Sequence, residues 1–387
     1  MRIVFLNRRI PRASDGGRRS RAAMIHLARR HDVSLIPVLY GDDFIGHSDV
    51  AEFGVRVEEP VRLARRPEVS RFTPGLPRPE PPELPGLRAR LREADWVYLI
   101  EPWLAPYLTA RAFGHRRPVL HWDHDSLRLW HRSAAGAMAE AGLPLRQLRF
   151  TVSALSYEWY ERRYLPAFDL VSVPSERERQ DLSARLAGPV VRVRNFVSLD
   201  ELAPARAVPA GDAPPTVVFV GSDFPPNVDA ARWLLTEVWP AVVARVPGAR
   251  LHLAGRGLAA RLPPLPASVT SGGFDDLATL LAGARAVACP IRFGGGIPYK
   301  VIDAAAAARP TLITDYCARA VAPAGGGMRL TTPREWAGAM IRVLQDPGEA
   351  DRLGRLAFEG IGQAYAEPEW EADMARLEET ALSVASR

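Results

Sequence analysis

Residues 286–315 read AVACPIRFGGGIPYKVIDAAAAARPTLITD, and this stretch decides the fold. Val287 to Pro290 is a short apolar run closed by proline, which predicts a buried strand. Gly294, Gly295 and Gly296 follow, backbone that adopts positive φ and approaches a ligand closely. Val301 to Ala308 is alanine-rich and stops before Pro310, which predicts a helix. Thr311 to Thr314 reads as a second buried strand. A glycine turn that feeds a helix N-terminus aims free backbone N–H groups at one spot, with the positive end of the helix dipole behind them. Such a turn is an anion site by construction. Lys300 lies in the first turn and is the only lysine of a chain with 50 Lys+Arg. A position that keeps lysine where arginine stands everywhere else calls for a compact, mobile ammonium; chance retention is the alternative. Tyr299 and Val301 flank Lys300, so the turn lacks the glycine and Ser/Thr of a Walker A loop.

With 387 residues the chain accommodates two domains. Its 47% hydrophobic and 24% charged residues fit a globular protein with a large core. Cys289 and Cys317 provide no disulfide framework, and Cys289, inside an apolar run, reads as core filling. After Met1-Arg2 the apolar run is only Ile3 to Leu6, too short for a signal peptide. No stretch approaches the roughly 18–20 apolar residues of a membrane span. A cytoplasmic location is expected. The net charge of +6 suits an acidic substrate or an anionic membrane surface, so peripheral membrane association is compatible with it. Nucleic acid is not expected, because no finger, helix-turn-helix or aromatic-basic motif accompanies the arginines.

The first half starts with a strand over Arg2 to Leu6, a loop with Gly16 and Gly17, a helix near Arg19 to Arg30 and a strand over Val33 to Leu39. This βαβ unit implies a parallel sheet, whose ligands bind beyond the carboxyl ends of the strands. Gly16 and Gly17 lie on that side, as ligand backbone or as a plain turn. Residues 60–85 are rich in Pro, Arg and Glu and read as a long loop. Trp96 to Ile100 is a strand ending in Glu101-Pro102-Trp103, and Val119 to Trp122 is another, ending in Asp123-His124-Asp125. A histidine between two carboxylates at a strand end is poised for polar work; a plain surface histidine is the other reading. Trp103 and Trp130 fit either the core or a flat ligand group to stack on. A helix over Tyr157 to Tyr164 and strands over Leu170 to Val173 and Val190 to Val193 complete this half. LDELAPARAVPAGDAPP, residues 199–215, lacks periodicity and is expected to be the interdomain linker.

The second half restarts the pattern: a strand over Thr216 to Val220, a loop from Gly221 through Ser222 to Asn227, and a helix from Val228. A strand over Leu251 to Ala254 precedes Gly255-Arg256-Gly257. Phe274-Asp275-Asp276 opens a helix over Leu277 to Ala282, with Asp275 or Asp276 as N-cap. Helices over Arg334 to Leu344 and Glu369 to Ser383 close the chain. Gly255 to Ala260 also fits the dinucleotide fingerprint G-x-G-x-x-A. The RLPPLP that follows at 261–266 cuts its helix to about one turn and argues against nicotinamide binding.

The stretches VVFVGSDFPPNVDAARWLLTEVWPAV, ARLHLAGRG, GGFDDLATLLAGARAVACPIRFGGGIPYK and VIDAAAAARPTLITD, together with the looser WDHD and FDLVSVPSERERQDL of the first half, resemble GT-B-fold glycosyltransferases, specifically the retaining family 4 (glycosyltransferase group 1). The resemblance implies an α/β fold, two Rossmann-like doubly wound domains facing each other across a cleft. Residues 1–198 would be the acceptor domain, 199–215 the linker, 216–368 the nucleotide-sugar domain, and 369–387 a C-terminal helix packing back toward the first domain. It implies a hexosyltransferase that uses a nucleotide-diphospho-sugar, with no metal and no cofactor, and a carbohydrate, lipid-linked or small-molecule acceptor. Negative charge grows on the departing diphosphate, and without a metal fixed donors and cations must take it up. The resemblance assigns catalytic roles to His124 and Lys300. It assigns donor binding to Gly16, Gly17, Ser222, Asn227, Gly255, Phe274, Gly295, Gly296, Ile297 and Asp303, and acceptor binding to Trp103 and Asp125.

The sequence departs from that family in places. Gly295 and Asp303 stand where relatives often carry two glutamates, so the ribose must approach Asp303 about one methylene closer. Ser222 stands where many relatives have arginine, and Asn195-Phe196-Val197-Ser198 replaces the usual Asn-Gly-Val-Asp. These changes leave a second reading, a non-catalytic member that binds a nucleotide-sugar or glycan and assists a partner enzyme. An epimerase on the same fold would need further acid/base carboxylates, which the sequence does not place.

Overall fold

The computed structural model describes residues 1–7, 17–40, 49–63, 86–108, 118–321 and 325–386. They form two compact units, one of Met1–Val193 with Ala372–Arg387, the other of Arg194–Glu371. The expected Gly16 and residues 64–85 of the expected long loop lie outside the described residues.

The first unit is built on β1 (Arg2–Asn7), β2 (Asp32–Tyr40), β3 (Arg56–Val57), β4 (Val61–Leu63), β5 (Trp96–Leu99), β6 (Val119–Asp123), β7 (Leu170–Val173) and β8 (Val190–Arg192). The sheet order is β3-β2-β1-β5-β6-β7-β8, with β4 also on β2. Every pairing is parallel; Ile3 sits opposite both Val33 and Trp96. Parallel neighbours require crossovers, and helices such as Arg18–Ala28 supply them. Ile3, Val4, Phe5 and Leu6 are all fully buried, as a strand covered on both faces must be.

The second unit carries β9 (Thr216–Val220), β10 (Arg250–Ala254), β11 (Val269–Gly272), β12 (Ala286–Cys289), β13 (Thr311–Ile313) and β14 (Met328–Arg329), in the order β11-β10-β9-β12-β13-β14. These pairings are parallel too. Both sheets are therefore doubly wound, with the strand order reversing between β1 and β5 in one and between β9 and β12 in the other. A ligand crevice opens beyond the carboxyl ends of the strands at such a reversal. The loops after β9 and β12 are the stretches Gly221 to Phe224 and Pro290 to Pro298.

Residues 199–215 are folded rather than extended. They hold a short helix, Ala203–Ala207, and a 3-10 turn, Ala210–Asp212. Leu202, Ala205 and Ala210 are buried in the second unit's core. Two buried arginines hold this Ala/Pro-rich stretch by its carbonyls. Arg309 donates to those of Ala205 and Val208, and Arg285 Nε donates to that of Ala213 at 2.9 Å. Composition alone reads as linker because the groups that fix it lie far along the chain. The first-half helix expected over Tyr157 to Tyr164 is the end of a longer one, Pro144–Tyr164, paired with Leu127–Glu140. The final helix runs Glu367–Ala385. Its Glu378 accepts from Arg30 at 2.7 Å and lies 3.0 Å from His31 Nε2, which ties its end into the first unit.

Candidate functional site

In the second unit the loops after β9 and β10 carry glycine where the chains come too close for side chains. A Cβ on Gly221 would lie 2.7 Å from the Asn227 side chain, and one on Gly255 would lie 2.1 Å from the Gly221 carbonyl oxygen. The loops after β9 and β10 are thus packed backbone to backbone, and the Asn227 side chain occupies the space that Gly221 leaves. No long helix follows Gly255-Arg256-Gly257; a single 3-10 turn, Ala259–Arg261, takes its place. A dinucleotide fingerprint needs a helix N-terminus there, so that reading fails on geometry.

The helix that follows the glycine loop is Tyr299–Ala306, with Pro298 as its N-cap. Proline has no N–H to leave unpaired and fixes φ for the turn. Gly296 has φ 60°, a left-handed backbone that favours glycine. Asn195 Nδ2 donates to the Ile297 carbonyl at 2.8 Å, and both residues are buried. Arg292, just before the glycines, makes a two-pronged ion pair with Asp229 at 2.9 and 2.6 Å. Asp229 and Asn227 share the helix Pro225–Trp233. That one helix therefore grips the glycine loop at Arg292 and the next helix at Lys300.

Lys300 Nζ donates to Asn227 Oδ1 and lies 4.8 Å from the centroid of the Phe219 ring. Part of the residue is open to solvent. Its ammonium end is nonetheless withdrawn from water, and that desolvation brings the pKa down from 10.5 to about 8. The charge resides on that end, so the ammonium, not the exposed stem, decides its chemistry. The nearby Cys289 and Cys317 are buried thiols whose pKa values burial pushes up, so they are unreactive packing. Asp303 is buried on the same helix as Lys300. Ser222 is exposed, and Phe274 is 39% exposed just past β11.

In the first unit Gly17 is the N-cap of Arg18–Ala28 with ordinary right-handed backbone, φ −85°. Its carbonyl accepts from Ser20 Oγ at 2.9 Å. Arg19, two residues on, pairs with Asp123 at the carboxyl end of β6. Asp123 also accepts from Tyr98 Oη at 3.0 Å and Ser172 Oγ at 2.6 Å. This carboxylate is therefore turned into the core and spent on structure. Beside it His121 is held neutral, its pKa far below 6.5 because it is fully desolvated, with the Arg19 charge adding to the effect.

The expected arrangement of His124 between two carboxylates gives way to a different one. His124 Nδ1 lies 2.8 Å from the Asp125 carbonyl oxygen. A carbonyl only accepts, so Nδ1 carries the proton and, in the neutral ring, Nε2 holds the free lone pair. Glu178 is buried next to Asp125. Desolvation first, then the Asp125 charge, push its carboxyl up to about 7. It accepts from Ser126 N at 3.1 Å and Ser175 Oγ at 2.6 Å, which holds the loop after β6 in place. Trp103 packs on Tyr157 and Tyr160, with ring centroids 6.0 and 6.1 Å away, so part of the indole is committed to the core.

The structure brings together the expected Lys300, Asn227 and glycine loop, and adds Asn195, Arg292 and Asp229, to which the sequence reading gave no role in the site. Asn195 had a visible sign: with Val197 it is one of two residues of Asn195-Phe196-Val197-Ser198 that keep the family's Asn-Gly-Val-Asp. Among the described residues no group of three or more His, Cys, Asp or Glu side chains could hold a metal ion.

Two family models match the chain. "Glycosyltransferase Family 4" covers residues 18–201 and "Glycosyl transferases group 1" covers residues 214–346. No curated protein matches the sequence significantly. Among solved structures, sucrose-phosphate synthase from Thermosynechococcus elongatus aligns with a TM-score of 0.67 at 19% identity over 100% of both chains. HepE of Anabaena, solved with UDP-glucose, aligns with a TM-score of 0.61 at 14% identity over 99% of this chain and 100% of its own. Trehalose 6-phosphate synthase from Burkholderia multivorans aligns at 0.60 and 13% identity, over 100% of this chain and 99% of its own. At these identities the structural likeness speaks of the fold.

Proposed function

The chain belongs to the group 1 glycosyltransferases of the GT-B fold, and we propose that it moves a hexosyl group from a nucleotide-diphospho-sugar to a hydroxyl acceptor, retaining anomeric configuration and using no metal. The observation that carries this reading is the Lys300 ammonium, fixed on Asn227 at the strand-order reversal of the second unit. A diphosphate there meets the N-terminus of Tyr299–Ala306, the backbone of Gly295, Gly296 and Ile297, and one cation. When the bond from the anomeric carbon to the diphosphate oxygen breaks, negative charge grows on that oxygen. A preorganised ammonium stabilises it more than the ground state, which is what accelerates the step. This cation supports the metal-independent reading.

Asp303 is the proposed partner of the ribose, and Ser222, Gly255 and the exposed Phe274 are proposed to border the nucleotide. Gly17, Trp103, His124 and Asp125 of the first unit are proposed to serve the sugar and the acceptor. His124 presents Nε2 as the acceptor of a hydroxyl proton or hydrogen bond. A cytoplasmic location belongs to the same proposal. UDP-sugars are the first donors to try, because HepE was solved with UDP-glucose and the E. coli trehalose-6-phosphate structure with UDP-2-fluoro glucose.

A thermal-shift panel of nucleotide-sugars tests the reading. A donor at about 100 times its dissociation constant adds roughly 2.7 kcal/mol of stability. One nucleoside diphosphate sugar should raise Tm by several degrees more than the matching monophosphate, and slow donor hydrolysis without acceptor should follow. No shift from any nucleotide-sugar would contradict the proposal. A shift with no hydrolysis and no transfer would favour the non-catalytic reading.

A further inference from the structure

The helix Pro144–Tyr164 has two apolar faces. Ala154, Tyr157 and Tyr160 are buried on the inner one. On the opposite side Leu145, Leu148, Val152, Leu155 and Trp159 are 83%, 61%, 44%, 63% and 37% exposed. Their spacing alternates three and four residues, so on a helix of 3.6 residues per turn they form one continuous stripe. Leu143, just before the helix, is also 38% exposed. Isolated exposed leucines need no explanation, but an aligned row of them does.

Charge says what covers the row. Arg146, Arg149, Arg162 and Arg163 are exposed along the same helix. Its Glu158 is neutralised by Arg162 at 2.6 Å, and Glu161 is buried in ion pairs beneath. The outward face is thus apolar with a basic border. The stripe is about 21 Å long and about 10 Å, one helix, wide. Two copies meeting through it would set basic border against basic border, and like charges across an interface oppose association. An anionic bilayer meets that border with the opposite charge. It accepts a narrow apolar stripe at the level of the headgroups, takes arginines onto lipid phosphates while their stems lie along the apolar zone, and places a tryptophan at the interface. Among the described residues no helix is long and apolar enough to cross a membrane.

We propose that the outer face of Pro144–Tyr164 docks the protein on the surface of an anionic phospholipid bilayer, with the helix lying in the plane of the headgroups. This inference rests on the exposed face and not on the proposed glycosyl transfer.

The test is flotation of the full chain with vesicles of phosphatidylcholine alone and of phosphatidylcholine with phosphatidylglycerol. Binding should appear on the mixed vesicles and fall as salt is raised. Leu148→Gln with Leu155→Gln should weaken it roughly tenfold or more. Both side chains are exposed, so the melting temperature should not change. Arg146→Ser and Arg149→Ser should each weaken it by about fivefold. Absence of binding to the mixed vesicles, or binding unaffected by these variants, would overturn the proposal. So would a dimer in sedimentation velocity that Leu148→Gln with Leu155→Gln dissolves, because the face would then join two copies.

Discussion

The Lys300 ammonium donates to the Asn227 carboxamide, a residue 73 positions earlier in the chain. This bond spans the two strands between which the second sheet reverses its order. On the proposed function, a diphosphate entering there would meet a cation already aimed at it, with no side chain to order at the moment of reaction.

The first consequence concerns pH. With a pKa of about 8, Lys300 is about ten to one charged at pH 7. The folded protein holds its proton less tightly than the unfolded chain, so Lys300 adds stability as pH rises from about 8 toward its ordinary value near 10.5. The proposed function runs the other way, since a diphosphate would call for the charged form. In steady-state transfer assays, kcat/KM for the donor should fall above pH of about 8. In Lys300→Arg that alkaline limb should vanish, because guanidinium stays charged. A limb that persists in Lys300→Arg would assign it to another group.

Asn195 should matter without touching substrate. It holds the Ile297 carbonyl at 2.8 Å and thereby sets the exit of the glycine loop. Asn195→Ala leaves a buried carbonyl unpaired, at a cost of about 1–3 kcal/mol. Differential scanning calorimetry should show a lowered Tm. Donor KM should rise by about tenfold while kcat changes less. An unchanged KM would mean that the loop holds its shape without this bond.

His124 separates by its two nitrogens. Nδ1 is spent on the Asp125 carbonyl, and Nε2 is the free position. Glutamine places its amide near Nε2, and asparagine places it near Nδ1. If Nε2 acts, His124→Asn should be as slow as His124→Ala, and His124→Gln should recover part of the turnover at saturating donor and acceptor. Equal turnover in all variants and in the native enzyme would make it a plain surface histidine.

The sheets and the glycine loop were legible because their signals are local. An apolar run, a glycine cluster and a helix start lie side by side in 286–315, and Lys300 stands out for being the only lysine. The short edge strands β3, β11 and β14 escaped, since two to four residues show no period. The clamps around the site escaped for another reason. Arg292 and Asp229 are 63 positions apart, and Asn195 and Ile297 are 102. Nothing near either member announces its partner. The same holds for residues 199–215, whose order depends on Arg285 and Arg309. The outer stripe of Pro144–Tyr164 was hidden in plain view: a helix apolar on two opposite faces shows no single amphipathic side.

If Lys300 takes up the charge of a departing diphosphate, the transfer rate of Lys300→Ala at saturating donor and acceptor must show it. Removing one such donor typically costs about 2.7–4 kcal/mol, or roughly a hundred- to a thousandfold in rate. The expected result is a loss of that size in kcat with the fold preserved, and only partial recovery in Lys300→Arg, whose wider guanidinium must fit between Asn227 and Phe219. Transfer by a folded Lys300→Ala at close to the native rate would contradict it.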